Sequence, residues 1–221
     1  MTILNLFPQE GAGDEDRLAE LDLYSSDFQT AFRPGLARAI NRSELAPPNA
    51  AGTDLYNDTF ELLAQILVAR GWRKAVVMGQ PRLLNPDGKC QLALSSAEHV
   101  SDPDPRVSPK TRRKGPATQH SLDNDRPKSQ LPLPLPEWVE NDDELPQKLK
   151  EAPLWFVLYG RKPRSSFLQL GLGRPARMDV SDRVVEWSDL INMTGLEGVG
   201  DLSAFDLDDD GDIDVPVEPR D

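Results

Sequence analysis

The sequence predicts an α+β fold, in which a small antiparallel or mixed sheet is packed by one helix and interrupted by a long disordered insertion. Three observations predict it. Residues 54–70 carry a wide apolar face at helical spacing, while residues 72–94 and 154–187 contain short apolar runs typical of strands. Residues 101–136 hold eight of the 20 prolines and show no apolar periodicity. A segment of this kind buries too little surface to offset its ordering entropy, so we expect it to be disordered.

Composition sets limits on the class of protein. The chain has 221 residues, 37 acidic and 25 basic side chains, a net charge of -12 and 38% hydrophobic residues. No apolar run approaches the roughly 18 residues of a membrane span, so no membrane partner is expected. The single cysteine, Cys90, excludes an intrachain disulfide and a thiolate zinc site. The amino terminus lacks the features of a secretory signal, and we expect a cytoplasmic location.

The first 50 residues are predicted to be only weakly helical. Asp14 is suited to cap a short helix that contains Leu18 and Leu21. A second apolar pattern at helical spacing follows, but Pro34 and Gly35 interrupt it. We therefore treat residues 1–50 as a region separate from the folded domain.

Residues 53–100 give the clearest local signals. The helix at 54–70 is expected to end at Gly71, which suits a left-handed cap. Residues 75–78 form a short apolar run typical of a strand. Two further strands, 82–84 and 90–94, flank the turn sequence Asn-Pro-Asp-Gly, which predicts a hairpin.

Folding is predicted to resume after the insertion. A short helix is expected at 145–151, and the continuous apolar run at 154–159 is typical of a strand buried on both faces. Residues 167–172 and 184–187 give two more strands, the second leading to a helical turn capped by Ser188. Because neither strand group can hold a core alone, we expect 53–100 and 145–193 to form one domain. Two separate lobes are the alternative.

A basic cluster lies inside the predicted insertion. Residues 106–128 contain seven basic and two acidic side chains, although the whole chain is acidic. Such clusters neutralise phosphates of nucleic acids. The candidate contacts for nucleic acid or a protein partner are Lys110, Arg112, Arg113 and Lys114. A charged linker is the structural alternative.

The acidic tail, predicted from residue 194 onward, contains a metal-ligand pattern. Its oxygen ligands are Asp206, Asp208, Asp210, Asp212 and Asp214, with a glycine between the third and fourth. This spacing resembles the calcium loop of EF-hand and dockerin proteins, which would imply bound Ca²⁺. Val217 stands where the loop needs a bidentate Glu, and Pro216 and Pro219 oppose an exit helix. A solvated acidic tail is the alternative, and no other cofactor is predicted.

Two further contact regions are predicted for a protein partner. Arg161, Lys162 and Arg164 share the loop of the hairpin that begins with the 154–159 strand. Their charges suit an acidic partner or a phosphate, or else serve to keep a sheet edge from aggregating. Trp138 follows an alternating Leu-Pro run that is suited to docking on a partner, to folding back on its own domain, or to acting as a stiff spacer.

Catalytic patterns are not found in the sequence. His99 and His120 have no acid or nucleophile at a family spacing, Cys90 lies on an apolar strand, and the glycines near 171–173 and 195–200 are interpreted as loop glycines. We expect a non-enzymatic, cytosolic protein-interaction module that acts as an adaptor or accessory subunit. The alternative is a nucleic-acid-associated protein that binds through residues 106–128 and is autoinhibited by its acidic tail. A small enzyme with an unfamiliar site is a third class.

Overall fold

The computed structural model describes residues 12–43, 45–47, 49–104, 106–125, 151–161 and 167–197. These residues form four helices and a seven-stranded mixed sheet, so the predicted α+β class is confirmed. The helices are α1 (Ala12–Glu20), α2 (Ser25–Ile40), α3 (Ala50–Val68) and α4 (Pro116–Asp125). The strands are β1 (Arg73–Val77), β2 (Gln80–Leu84), β3 (Gln91–Glu98), β4 (Lys110–Thr111), β5 (Leu154–Arg161), β6 (Phe167–Met178) and β7 (Val184–Glu197).

The strand order joins both predicted strand groups in one sheet. It is β1-β2-β3-β5-β6-β7, and the two-residue β4 pairs with β3 outside this path. The β3 and β5 strands are parallel, with Gln91 opposite Leu154, whereas the other pairs are antiparallel. Parallel neighbours need a long crossover, and the chain between β3 and β5 supplies it.

One face of the sheet is covered by α1, α2 and α3. Apolar side chains from this helical layer and from five strands form the main core, which includes Leu18, Phe28, Phe32, Leu55, Leu63, Leu67, Leu83, Leu92, Leu94, Val157, Tyr159, Leu170 and Ile191. The 54–70 helix is confirmed as α3, with Gly71 in the left-handed region at φ 88°. The predicted weakly helical region thus supplies two core helices, since Leu18, Phe28 and Phe32 are fully buried.

Helix α2 continues through the predicted break at Pro34 and Gly35. Proline removes one helical hydrogen bond, but the packing of Phe28, Phe32 and Leu36 stabilises the helix. Gly35 lies where α2 crosses α3, and a Cβ built there would come within 3.1 Å of the Asp58 Cβ. The glycine therefore permits close helix packing and does not end the helix.

The opposite face of the sheet carries a second core, which is covered by part of the predicted disordered insertion. Its residues are Ala93, Ala97, Val100, Leu154, Phe156, Leu158 and Val184. The β5 run at 154–159 is therefore buried on both faces, as predicted. The expectation of disorder over 101–136 is wrong at its amino-terminal end, because 106–125 contains β4 and α4. Residues 126–136 and most of the predicted 145–151 helix lie outside the described residues.

The last strand is longer than predicted. The β7 strand runs from Val184 to Glu197, so Ser188 begins no helical turn and the strand extends past the predicted start of the tail at 194. The glycines at 171, 173 and 195 lie within β6 and β7, which corrects their interpretation as loop glycines. At Gly173 a Cβ would meet the ring of Trp187 at 2.6 Å, so the missing side chain makes room for that indole.

Candidate interaction surfaces

The β1 strand forms one edge of the sheet, and β2 is its sole strand partner among the described residues. Ala75 is buried, whereas Arg73 and Lys74 are exposed and Val76 is 49% exposed. A sheet edge with a half-exposed valine is a template for another strand, because its outer backbone groups have no ladder partner.

The β1–β2 turn fixes which backbone groups face outward. Met78 and Gly79 both have positive φ, 48° and 79°, as a two-residue type I′ hairpin requires. Val77 and Gln80 close this hairpin as a hydrogen-bonded pair. Because hydrogen-bonded and non-hydrogen-bonded pairs alternate, the N–H and C=O groups of Lys74 and Val76 point away from β2.

The charges at this edge have no carboxylate counterpart among the described residues. Neither Arg73 nor Lys74 forms an ion pair within that part of the chain. The Lys74 ammonium lies 5.6 Å from the centre of the Phe60 ring, a distance at which the ring attracts a cation. In contrast, nearby Arg70 donates two hydrogen bonds of 2.6 Å to the Asp27 carboxylate, so its charge is paired. The edge thus combines a cationic end with outward backbone groups.

The predicted basic cluster lies against the β6–β7 turn. The Lys110 Nζ is 3.5 Å from Asp179 Oδ2, and the Arg113 Nη2 is 3.4 Å from Asp182 Oδ2. The backbone N–H of Lys114 also donates to the Asp182 carbonyl at 2.8 Å. Arg112, the fourth residue of the cluster, is exposed but is not without interactions. Two of the four cations are therefore paired within their own domain.

Lys114 is unusual within this cluster because its ammonium is partly buried. Its Nζ lies 5.4 Å from the centre of the Phe156 ring, in the second core. Burial lowers the pKa of Lys114 to about 8, and the charge of Arg112 lowers it further in the same direction. A lysine held in this way packs against the core, so its ammonium is less accessible to a ligand than its sequence suggests.

Two hydrogen bonds anchor the basic segment to β7. The Trp187 Nε1–H donates to the Pro109 carbonyl at 2.7 Å, and the backbone N–H of Val184 donates to the Thr111 hydroxyl at 3.0 Å. Thr111 is 1% exposed, so this hydroxyl satisfies an N–H that water does not reach. The segment is a structural cover of the second core, in contrast to the charged linker that the sequence suggested.

The other predicted contact residues are not brought together by the described structure. Arg161 ends β5 and is partly buried. Lys162, Arg164, Trp138 and the aspartates of the calcium-loop pattern (Asp206, Asp208, Asp210, Asp212 and Asp214) lie outside the described residues. Calcium binding by that pattern stays a prediction.

A buried arginine is a feature that the sequence did not reveal. Arg82 is 1% exposed and donates to the side-chain oxygens of Gln80 and Gln91 and to the Ala117 carbonyl, at 2.8 to 3.0 Å. Burial lowers its pKa to about 10, so the guanidinium stays charged at neutral pH. These bonds connect β2, β3 and α4, which makes Arg82 a structural connection between the sheet and the insertion.

Cys90 and His99 do not form a nucleophile–base pair. Cys90 directly precedes β3 and His99 directly follows it, so nine residue steps along the strand separate their Cα atoms by roughly 30 Å. Burial also raises the pKa of the Cys90 thiol to about 12, which keeps it protonated at neutral pH. Within the described residues, no group of three or more His, Cys, Asp and Glu side chains is arranged to hold a metal ion.

No family model, curated protein or solved structure matches this chain. None of the helices in the described residues combines the length and apolar character that a membrane span requires. We therefore infer function from the geometry of the described residues.

Proposed function

We propose that this protein is a non-enzymatic interaction module, an adaptor or accessory subunit, that binds an extended acidic segment of a protein partner at the outer edge of β1. The observation that carries the proposal is the combination of outward backbone groups at Lys74 and Val76 with cations that have no carboxylate partner in the described structure. An added strand would use these backbone groups for affinity and the side chains for specificity.

The chemistry of the edge defines the partner. Arg73 favours an acidic residue opposite it, because opposite charges on facing strand positions attract each other. Val76 favours an apolar residue, since burying its half-exposed side chain is stabilising. Arg73 and Val76 lie on opposite faces of β1, while Lys74 shares the face of Val76 and has the Phe60 ring as its contact there. The matching segment therefore alternates acidic side chains on the Arg73 face with apolar side chains on the Val76 face.

The nucleic-acid alternative has less support from the geometry. Binding phosphates with Lys110 and Arg113 would require breaking their ion pairs with Asp179 and Asp182. Releasing the whole segment would also uncover Phe156 and Val184 of the second core. Both changes oppose polyanion binding, so we place the contact surface at β1.

Selection from a display library of linear decapeptides tests the proposal, with the full chain as bait. We expect the enriched peptides to alternate Asp or Glu with Val, Ile or Leu. Val76→Pro should abolish their binding, because it removes one outward N–H while leaving the β1–β2 bonds intact. Val76→Thr keeps that N–H and is the matched control.

Three outcomes would refute the proposal. The first is a set of selected peptides that lack acidic residues. The second is equal binding of the selected peptides by the Val76→Pro and Val76→Thr variants. The third is selection that depends on Lys110 and Arg113, which would favour the basic segment as the contact surface. Circular dichroism of both Val76 variants separates loss of binding from loss of fold.

A further inference from the structure

The chain carries, beyond β7, a segment with the features that the β1 edge selects. In residues 212–218, Ile213, Val215 and Val217 alternate with Asp212, Asp214, Pro216 and Glu218. In an extended conformation the three apolar side chains share one face and the three carboxylates share the other. The segment therefore matches β1 in charge and in periodicity.

We propose that residues 212–218 add to the edge of β1 within the same molecule and compete there with the protein partner. This inference rests on the proposed function. It assigns the acidic tail a defined target, the edge of β1, where the sequence had suggested the basic cluster at 106–128.

The path to the β1 edge is short enough. Glu197 is the last described residue of β7, and β7 and β1 are separated by five strand spacings, or about 24 Å. The intervening residues 198–211 span at most about 48 Å when extended. The strand registers also place Glu197 and the Met78–Gly79 turn at the same end of the sheet. A segment arriving at that end runs antiparallel to β1.

Pro216 restricts the register. It has no N–H, so it must lie opposite a β1 residue that needs no hydrogen bond from an added strand. Arg73, Ala75 and Val77 meet this condition because their backbone groups bond to β2, and the position opposite Ala75 is the one that also matches the side chains. With Pro216 opposite Ala75, Val215 lies opposite Val76 and Glu218 lies opposite Arg73. The apolar pair and the ion pair then form together.

Disulfide trapping in the full chain tests this register. Val77 and Asp214 form a non-hydrogen-bonded pair in the proposed register, with a Cα separation of about 4.5 Å that suits a disulfide. We expect Val77→Cys with Asp214→Cys to form an intramolecular bond with oxidised glutathione. The control, Val77→Cys with Val215→Cys, places the second thiol on the opposite face and should not. Equal trapping in both, or disulfide-linked dimers, would overturn the proposal.

A binding measurement separates this inference from the proposed function. In the full chain, Val215→Asp removes the apolar contact and keeps the tail acidic, so it should free the edge. We expect the selected acidic peptide to bind this variant about tenfold more tightly, since the edge is then available in most molecules. Unchanged affinity would overturn the competition, while loss of binding in Val76→Pro would still support the proposed function.

Discussion

Replacing Lys114 with methionine should stabilise the protein at pH 7. Burial lowers the pKa of Lys114 from 10.5 to about 8, and each pKa unit corresponds to about 1.36 kcal/mol, so the charged form costs the fold about 3 kcal/mol. Attraction to the Phe156 ring offsets about 1 kcal/mol of this cost. Methionine keeps the packing of the stem without the charge. We therefore expect the free energy of unfolding to rise by about 2 kcal/mol.

The gain should depend on pH in a defined direction. The folded protein releases the Lys114 proton near pH 8, whereas the unfolded chain holds it up to about pH 10.5. Between these values the unfolded state binds more protons, so the stability contributed by this site rises with pH. The advantage of the methionine variant is therefore full at pH 7 and disappears as the pH approaches about 10.5.

Urea unfolding at pH 7 and pH 9.5, followed by tryptophan fluorescence at fixed ionic strength, measures both effects. Lys110→Met is the matched control, because Lys110 is more exposed and pairs with Asp179. That variant should lose no more than about 1 kcal/mol. A Lys114→Met protein that is no more stable than wild type at pH 7, or whose advantage is the same at both pH values, would contradict the reasoning.

Three further predictions concern packing and burial. Gly35→Ala should lower stability by about 1–3 kcal/mol in thermal unfolding, because the new Cβ would lie 3.3 Å from the Leu55 backbone. Gly52→Ala, in the partner helix α3, is the control. Its new Cβ would meet nothing within 4 Å, so this change should raise the free energy of unfolding by about 0.5–1 kcal/mol. Thr111→Val should cost about 1–3 kcal/mol in urea unfolding, because it leaves a buried N–H without an acceptor, while Thr111→Ser should retain most of the stability. Cys90 should react with a thiol reagent only as fast as the protein unfolds, since it is fully buried with a raised pKa, and rapid labelling of native protein would contradict this.

Elements with a strong local signal were predictable. The α3 helix has a wide apolar face and a glycine at its end, the β2–β3 hairpin contains Asn-Pro-Asp-Gly, and 154–159 is continuously apolar. In each case neighbouring residues determine the backbone conformation. The prediction of burial on both faces at β5 succeeded for the same reason, since a strand without polar positions has no face suited to water.

The errors occurred where tertiary contacts override local preference. Pro34 does not end α2, because the apolar side chains on both sides of it pack into the main core. The insertion at 106–125 has few apolar residues of its own, yet Thr111, Ala117 and Leu122 are buried against the rest of the protein. A segment that is buried mainly against side chains of distant strands shows no apolar periodicity of its own. Its sequence therefore does not predict that it folds.

The sequence also identified only part of the candidate interaction surfaces. The sequence identified the cations of the basic cluster, but it could not show that Lys110 and Arg113 pair with Asp179 and Asp182, which lie about 70 residues further along the chain. It singled out no residue of β1, because whether a strand lies at an edge depends on the order of the strands. The turn residues Met78 and Gly79 also lack the Asn-Gly signature of a type I′ hairpin.

The sequence by itself determined the α+β class, the α3 helix, the hairpin and the doubly buried strand, because apolar spacing reports which side chains leave water. Only the tertiary structure decided that β3 and β5 are parallel neighbours, that the basic segment covers the second core, and that β1 is left at an edge. Local patterns identify neighbouring strands that a short turn joins, but they do not show which strands lie side by side across a long connection, since every strand offers the same backbone groups. That choice is made by the long-range packing of the two cores on either side of the sheet.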